Sequence, residues 1–165
     1  MARTNDMVAW IRDQSTAITK VYERIEIALI RLSKKTSRAR VHQARVALRH
    51  LFALWPILCE DGWQTKSFEK RVMKPLDKLL NELGSVRNND VNISIAKELE
   101  CPHSLMKKWR NKRQKSNRKL TKHVAAMDIK TLLKEMKAFF SKQPKTVSQR
   151  IAKSSLAKEK PAKHV

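Results

Sequence analysis

The chain has 165 residues, of which 37 are Lys or Arg and 15 are Asp or Glu, so its formal net charge is +22. This length suits one domain with a single core, and the charge far exceeds what solubility needs, so we expect an anionic partner such as nucleic acid, an inorganic polyanion or a membrane surface. Glycine occurs only at positions 62 and 84, which excludes a glycine-rich phosphate loop and means that side chains must hold any anion.

Apolar residues recur at helical spacing along the first half of the chain and predict three helices there. The first runs from about Asp6 to Ser33, and the second from about Arg38 to Glu60. The third spans about Ser67 to Leu83, and Gly84 is expected to end it. Pro56 and Pro75 are expected to kink the second and third helices.

The second half continues the helical pattern and then loses it. One of residues 88–90 can cap a short fourth helix that ends near Leu99, and Ser104 can cap a basic fifth helix. Asp128 is expected to cap an apolar sixth helix. The sequence therefore predicts an all-α antiparallel bundle of about six helices over residues 5–141, followed by a disordered basic tail over residues 142–165.

Targeting and redox signals are weak. The N-terminus has no charged region followed by an apolar run, and no segment approaches the length of a membrane-spanning helix. Cys59 and Cys101 are too few for a disulfide framework. We therefore expect a cytoplasmic protein with reduced thiols and without membrane insertion.

The second helix carries the strongest functional signal. On a helical wheel, four basic side chains fall within roughly a 60° arc, away from the apolar stripe; they are Arg38, His42, Arg45 and Arg49. Guanidinium groups match phosphate oxygens in a bidentate manner, and an imidazole adds a donor. The alternative is a solvated polar face. Lysines along the third helix and a basic cluster on the fifth favour a basic groove instead.

Catalytic and metal patterns are absent or isolated. The single E-x-x-H spacing, Glu100 to His103, contains Pro102, whereas a di-iron bundle site needs two copies on facing helices. Cysteine and histidine residues never fall into paired zinc spacings, and no nucleophile stands in a recognisable context. We predict no catalytic residue, no metal and no cofactor. Aromatic residues make up only 5% of the chain, so few side chains could stack on nucleic-acid bases. Non-specific binding to a nucleic-acid backbone remains an alternative.

Two segments together resemble the CHAD family, helical domains that bind inorganic polyphosphate. The first matches V-H-x-x-R-V-x-x-R through Val41, His42, Arg45, Val46 and Arg49. The second matches an L-G-x-x-R-D-x-D-V turn through Leu83, Gly84, Arg87, Asp90 and Val91. The run from Trp109 to Phe140 is also similar to the family's next two helices, so the resemblance covers most of residues 5–141.

The resemblance has two departures. Asn88 stands where the family pattern has its first Asp. Family members usually continue into a second, pseudo-symmetric half with its own histidine-arginine helix, whereas this sequence resembles one half. Some members are joined to a triphosphate-hydrolysing domain marked by an E-x-E-x-K strand. The one E-x-E here, Glu98 to Glu100, is followed by Cys101 and Pro102 and does not match it.

Together these features predict a non-enzymatic protein that binds inorganic polyphosphate in a basic groove. The predicted binding residues are Arg38, His42, Arg45, Arg49, Lys74, Lys78, Arg87, Arg110 and Arg113. The alternative is a basic protein that binds nucleic acid without sequence specificity. We further expect long polyphosphate to bridge copies of the chain into larger assemblies, and the protein to lie in the cytoplasm at polyphosphate granules.

Overall fold

The computed structural model describes residues 2–60 and 65–141, which form five helices. They are α1 (Ala2–Lys34), α2 (Arg38–Glu60), α3 (residues 66–98), α4 (His103–Ala126) and α5 (residues 129–141). These described residues contain no strand, which confirms the all-α prediction. The predicted tail, residues 142–165, lies outside them.

The first four helices form an antiparallel bundle with short connections. Helix α1 packs on α2, α2 on α3, α3 on α4, and α4 returns to α1. Helices α2 and α4 therefore occupy opposite corners of the bundle. Helix α5 covers one end, where Tyr22 Oη of α1 donates to the Leu133 carbonyl at 3.5 Å.

The core consists of aliphatic side chains that each helix turns inward. Fully buried members include Leu29 of α1, Leu48 of α2, Leu79 of α3 and Leu120 of α4. Each such side chain contributes roughly 1.5–3 kcal/mol by leaving water. At the α5 end the core becomes aromatic. Phe68 and Phe139 stack there with ring centroids 3.7 Å apart, and Trp55 and Phe140 lie beside them.

Helix α3 corrects the prediction of separate third and fourth helices. It begins with a turn over Lys66–Phe68, passes through a π-helical segment over Glu69–Met73, and continues without interruption over Lys74–Glu98. Gly84 lies in its interior and does not end it. A glycine costs a helix only about 1 kcal/mol, and buried Leu83 and Val86 on either side outweigh that cost.

The predicted caps within residues 88–90 are also wrong, because these residues lie in the interior of α3, where two of their polar side chains reach across to α4. Asn89 Nδ2 donates to Ser116 Oγ at 3.2 Å, and Asp90 accepts from Arg113 at 3.0 Å.

The π-helical segment lies just before Pro75, where proline leaves one carbonyl of the preceding turn without its usual amide. Helix α2 continues through Pro56 to Glu60.

The helix ends follow local chemistry. Helix α3 ends at Glu98, and Glu100 takes a left-handed conformation with a φ of 48°, while the Cys101 N–H donates to the Ala96 carbonyl at 2.9 Å. Pro102 precedes the first residue of α4, so Ser104 is not its cap. Asp128 does cap α5, because its Oδ1 accepts from the Thr131 N–H at 3.0 Å, and this confirms the prediction.

Over the residues that the structure describes, none of the helices combines the length and the apolar character needed to cross a bilayer.

Candidate functional site

Helix α2 separates its apolar and basic faces as the sequence predicts. Its inward stripe is fully buried, with Val41, Ala44, Leu48 and Leu51 inaccessible to solvent. On the other side, the basic row runs along the outer ridge of the helix. Three of its members are exposed, namely Arg38, His42 and Arg49, and the fourth, Arg45, is half-buried. The row spans about 16 Å of helix at 1.5 Å per residue.

Arg45 and Arg49 line a cleft of about 390 Å³ between α2 and α3. The α3 wall is formed by Leu80, Asn81, Gly84, Ser85 and Asn88. Arg45 Nε lies 3.8 Å from the point where a Cβ on Gly84 would stand. Because glycine has no side chain, the arginine can pack closely over the backbone of α3.

The cleft has cationic groups and neutral donors but no acidic lining. None of the residues that form its walls is Asp or Glu. Within the described part of the chain, neither the Arg45 nor the Arg49 side chain makes a hydrogen bond or an ion pair. The Asp77 carboxylate lies beside the cleft and accepts from Asn81 Nδ2 at 3.5 Å. Two uncompensated guanidinium groups beside amide and hydroxyl side chains are suited to binding an anion.

Three basic side chains elsewhere in the bundle already contact buried carboxylates. Arg113 Nε donates to Asp90 Oδ1 at 3.0 Å, and Asp90 is only 6% exposed. Across the same α3–α4 interface, His123 Nδ1 lies 2.8 Å and Lys119 Nζ 3.5 Å from the Glu82 carboxylate. These contacts hold α3 against α4. Among the residues that the structure describes, Arg113 is the one predicted binding residue that has an internal counterion.

The remaining members of the α2 row point in two directions. Arg38 Nη2 crosses to α3 and donates to Ser94 Oγ at 3.2 Å. His42 lines a different groove, between α1 and α2. The ridge of α2 therefore divides its basic side chains between two concave surfaces, and Arg45 and Arg49 belong to the one facing α3.

The predicted lysines extend the wall of the cleft. Lys74 and Lys78 are exposed on α3. Counting in helical steps of three and four residues, they share one stripe with the cleft residues Asn81 and Ser85. Both lysines therefore lie on the same side of α3 as the polar wall of the cleft, closer to the N-terminus of that helix.

Two predicted residues lie further from the cleft. Arg87 is half-buried on α3 and does not line the cleft. Arg110 is exposed on α4, which lies at the corner of the bundle opposite α2. The structure thus brings Arg45 and Arg49 together in one cleft. A shared binding site formed by all nine predicted residues stays a prediction.

Comparison with known proteins identifies a family. The family model of the CHAD domain matches residues 16–164. The chain belongs to the CHAD domain family. CHAD domains are binding domains that are generally associated with polyphosphate. The match runs beyond residue 141, into the segment predicted to be a tail. Neither the curated proteins nor the solved structures compared with this CHAD domain include a match.

Sequence reasoning missed three polar residues of the cleft in this CHAD domain. Asn81, Ser85 and Asn88 carry no distinctive motif of their own. Their helical spacing around Gly84 is the signal that could have indicated them. Interpreting Gly84 as a helix stop hides that signal, because it places Asn88 in a turn instead of on the same wall.

The described residues contain no group of three or more His, Cys, Asp or Glu side chains arranged to hold a metal ion.

Cys59 and Cys101 are free thiols. Burial, and then the Glu69 carboxylate, raise the pKa of the Cys59 thiol above its ordinary value, which makes that thiol less reactive.

Proposed function

We propose that this CHAD domain binds inorganic polyphosphate without a catalytic step and that Arg45 and Arg49 form the centre of the site. The observation that carries the proposal is the cleft between α2 and α3, where two arginines without counterions meet a wall with no acidic lining. A phosphate group entering there would supply the missing negative charge. It would also accept hydrogen bonds from the guanidinium groups.

The surroundings of the cleft suit an extended polyanion. The exposed ends of the α2 row, Arg38 and Arg49, are separated by about 16 Å along the helix. Exposed Lys74 and Lys78 continue the basic surface along α3. A flexible chain of phosphates could follow such a surface, and the net charge of +22 would increase its rate of association.

Nucleic acid is the less favoured ligand because the rings of the two described tryptophans already contact other side chains. Trp55 packs in the core cluster, 5.5 Å from the Phe68 ring and 6.0 Å from the Phe139 ring. Trp109 is half-buried, and Lys112 Nζ lies 4.7 Å from the centre of its ring. Sequence-tolerant binding of single strands usually depends on exposed aromatic faces. Family membership also favours polyphosphate.

A competition titration tests the proposal. Labelled long-chain polyphosphate is bound to the protein and displaced by unlabelled polyphosphate or by duplex DNA, matched in charge concentration, over a series of salt concentrations. We expect polyphosphate to compete more strongly than DNA at every salt concentration. Affinity should fall steeply with salt as bound counterions are released.

Two outcomes would contradict the proposal. Stronger competition by DNA would indicate a nucleic-acid-binding protein. Shortening of the polyphosphate during incubation, measured by gel electrophoresis, would indicate that the protein hydrolyses its ligand.

A further inference from the structure

A second groove lies on the other side of the α2 ridge, between α1 and α2, with a volume of about 380 Å³. Its floor is apolar and includes Ile27, Ala28 and Val46. Ile27 is 50% exposed, and Ile30, on the next turn of α1, is 41% exposed. Phosphate gains nothing from apolar surface, so polyphosphate binding does not explain this groove.

The rim of the groove is basic. Arg24 and Arg31 extend from α1, and His42 and His50 from α2, while no Asp or Glu lines it. Arg40 Nη1 donates to the Arg31 carbonyl at 3.0 Å, which fixes another guanidinium group at this end of α1. The groove therefore combines an apolar floor with a positive rim. A ligand that matches it needs apolar groups for the floor and negative charges for the rim.

Charge argues against two occupants that the chain itself could supply. Residues 142–165 contain seven Lys or Arg against one Glu, so the positive rim would repel them. A second copy would bring another net charge of +22 towards the same rim. Neither occupant carries the negative charge that the rim requires.

We infer that the groove between α1 and α2 docks an acidic, amphipathic helical segment of a partner protein. Two antiparallel helices leave a trough into which the side chains of a third helix can pack. Aliphatic side chains of the segment would cover Ile27 and Val46. Carboxylates on its flanks would contact Arg24 and Arg31. This is recognition of an amphipathic helix in a groove, with charge setting the choice of partner.

The test measures fluorescence anisotropy of a labelled synthetic peptide made of Leu and Glu, with the leucines spaced to share one helical face. A peptide of the same composition with a scrambled order keeps the charge and removes the apolar face. We expect the amphipathic peptide to bind at least about tenfold more tightly, because only it covers the apolar floor. Equal affinity of the two peptides would overturn the inference.

Variants then locate the binding. Ile27→Glu places a carboxylate on the floor and should weaken amphipathic-peptide binding by about tenfold or more. Leu99→Glu is the matched control, because Leu99 is 70% exposed and lies outside the groove. Circular dichroism should show unchanged helicity for both variants. Equal weakening by both would show that only net charge matters and would contradict the inference.

Two further measurements separate this site from the others. The double variant Arg45→Ala, Arg49→Ala should retain peptide binding, whereas Ile27→Glu should retain polyphosphate binding. Loss of peptide binding in the arginine variant would mean one shared anionic site and would overturn the inference. Vesicles of phosphatidylserine and phosphatidylcholine complete the test. Binding to vesicles that Ile27→Glu abolishes, without peptide binding, would indicate a membrane surface instead of a protein segment.

Discussion

Arg45 of α2 crosses α3 at Gly84, with its Nε 3.8 Å from the position that a Cβ would occupy. This contact joins the two segments that carry the family resemblance. The residue at position 84 therefore faces the Arg45 side chain. A side chain that extends beyond a Cβ at this position would meet the arginine and displace it from the wall of the cleft.

Substitution of Gly84 tests that relationship. A Cβ 3.8 Å from Arg45 Nε would make an ordinary van der Waals contact, so Gly84→Ala should fit. It should raise the free energy of unfolding by about 0.5–1 kcal/mol, because alanine favours the helix interior. Gly84→Leu should keep the helix but displace Arg45 and weaken polyphosphate binding. Urea denaturation and ligand titration measure the two effects. Destabilisation by alanine would show tighter packing here than the 3.8 Å distance implies.

Removal of both cleft arginines should impair binding without impairing folding. Arg45→Ala with Arg49→Ala should weaken polyphosphate binding by about 2–3 kcal/mol, or roughly 30- to 150-fold, because charge-assisted hydrogen bonds are lost. The thermal midpoint should change little, since neither side chain has a partner within the described structure. The matched control is Arg118→Ala with Lys122→Ala, which removes the same charge from an exposed part of α4. Equal losses in the two double variants would show that net charge alone determines affinity.

Asn88 stands where the family pattern has an Asp, and it keeps the wall of the cleft in this chain neutral. A carboxylate at this position, beside two arginines without counterions, should weaken binding in this cleft. Asn88→Asp would place a negative charge beside Arg45 and Arg49, where it would compensate them and repel phosphate. We expect affinity for polyphosphate to fall by about tenfold and the salt dependence to become shallower. Asn111→Asp, on the exposed face of α4, makes the same chemical change away from the cleft. If both variants bind equally well, Asn88 does not face the ligand.

The contacts that Glu82 makes with Lys119 and His123 should stabilise the bundle. Glu82 is 7% exposed and contacts His123 and Lys119, so Glu82→Ala would leave a buried interface without its carboxylate. We expect the free energy of unfolding to fall by about 2–4 kcal/mol. Glu135→Ala removes a more exposed ion pair with Arg71 and should cost less than about 1 kcal/mol. Denaturant unfolding measures the free energy of unfolding of the two variants. A similar decrease for both would contradict a stabilising role for the burial of Glu82.

The cap of α5 should make part of the stability depend on pH. The hydrogen bond from the Thr131 N–H, the largest cause, lowers the pKa of the Asp128 carboxyl below its ordinary value. A pKa that folding lowers adds stability above the unfolded value, and this stability is lost as the pH falls through the folded value. The difference in thermal midpoint between the wild type and Asp128→Asn should therefore shrink below about pH 4. A difference that stays constant across the acid range would show that the charge of Asp128 does not matter.

Local patterns were sufficient for most of the fold. The stripe of Val41, Ala44 and Leu48 identified the buried face of α2, and the basic row followed on the opposite side. Asp128 was recognisable as a cap because capping depends on residues within one turn. The break at Gly84 was wrong because helix propensity is a weak signal that burial on both sides of a glycine can override.

By itself, the sequence determined most of the helices, their inward faces, the excess of positive charge and the row that contains Arg45 and Arg49. These properties depend on residues that are neighbours along one helix. Only the tertiary structure decided which cations are available to a ligand. Arg113 is paired with Asp90 across two helices, while Arg45 and Arg49 face a wall without a carboxylate. A charge becomes compensated through contacts between helices, and helical periodicity does not encode those contacts.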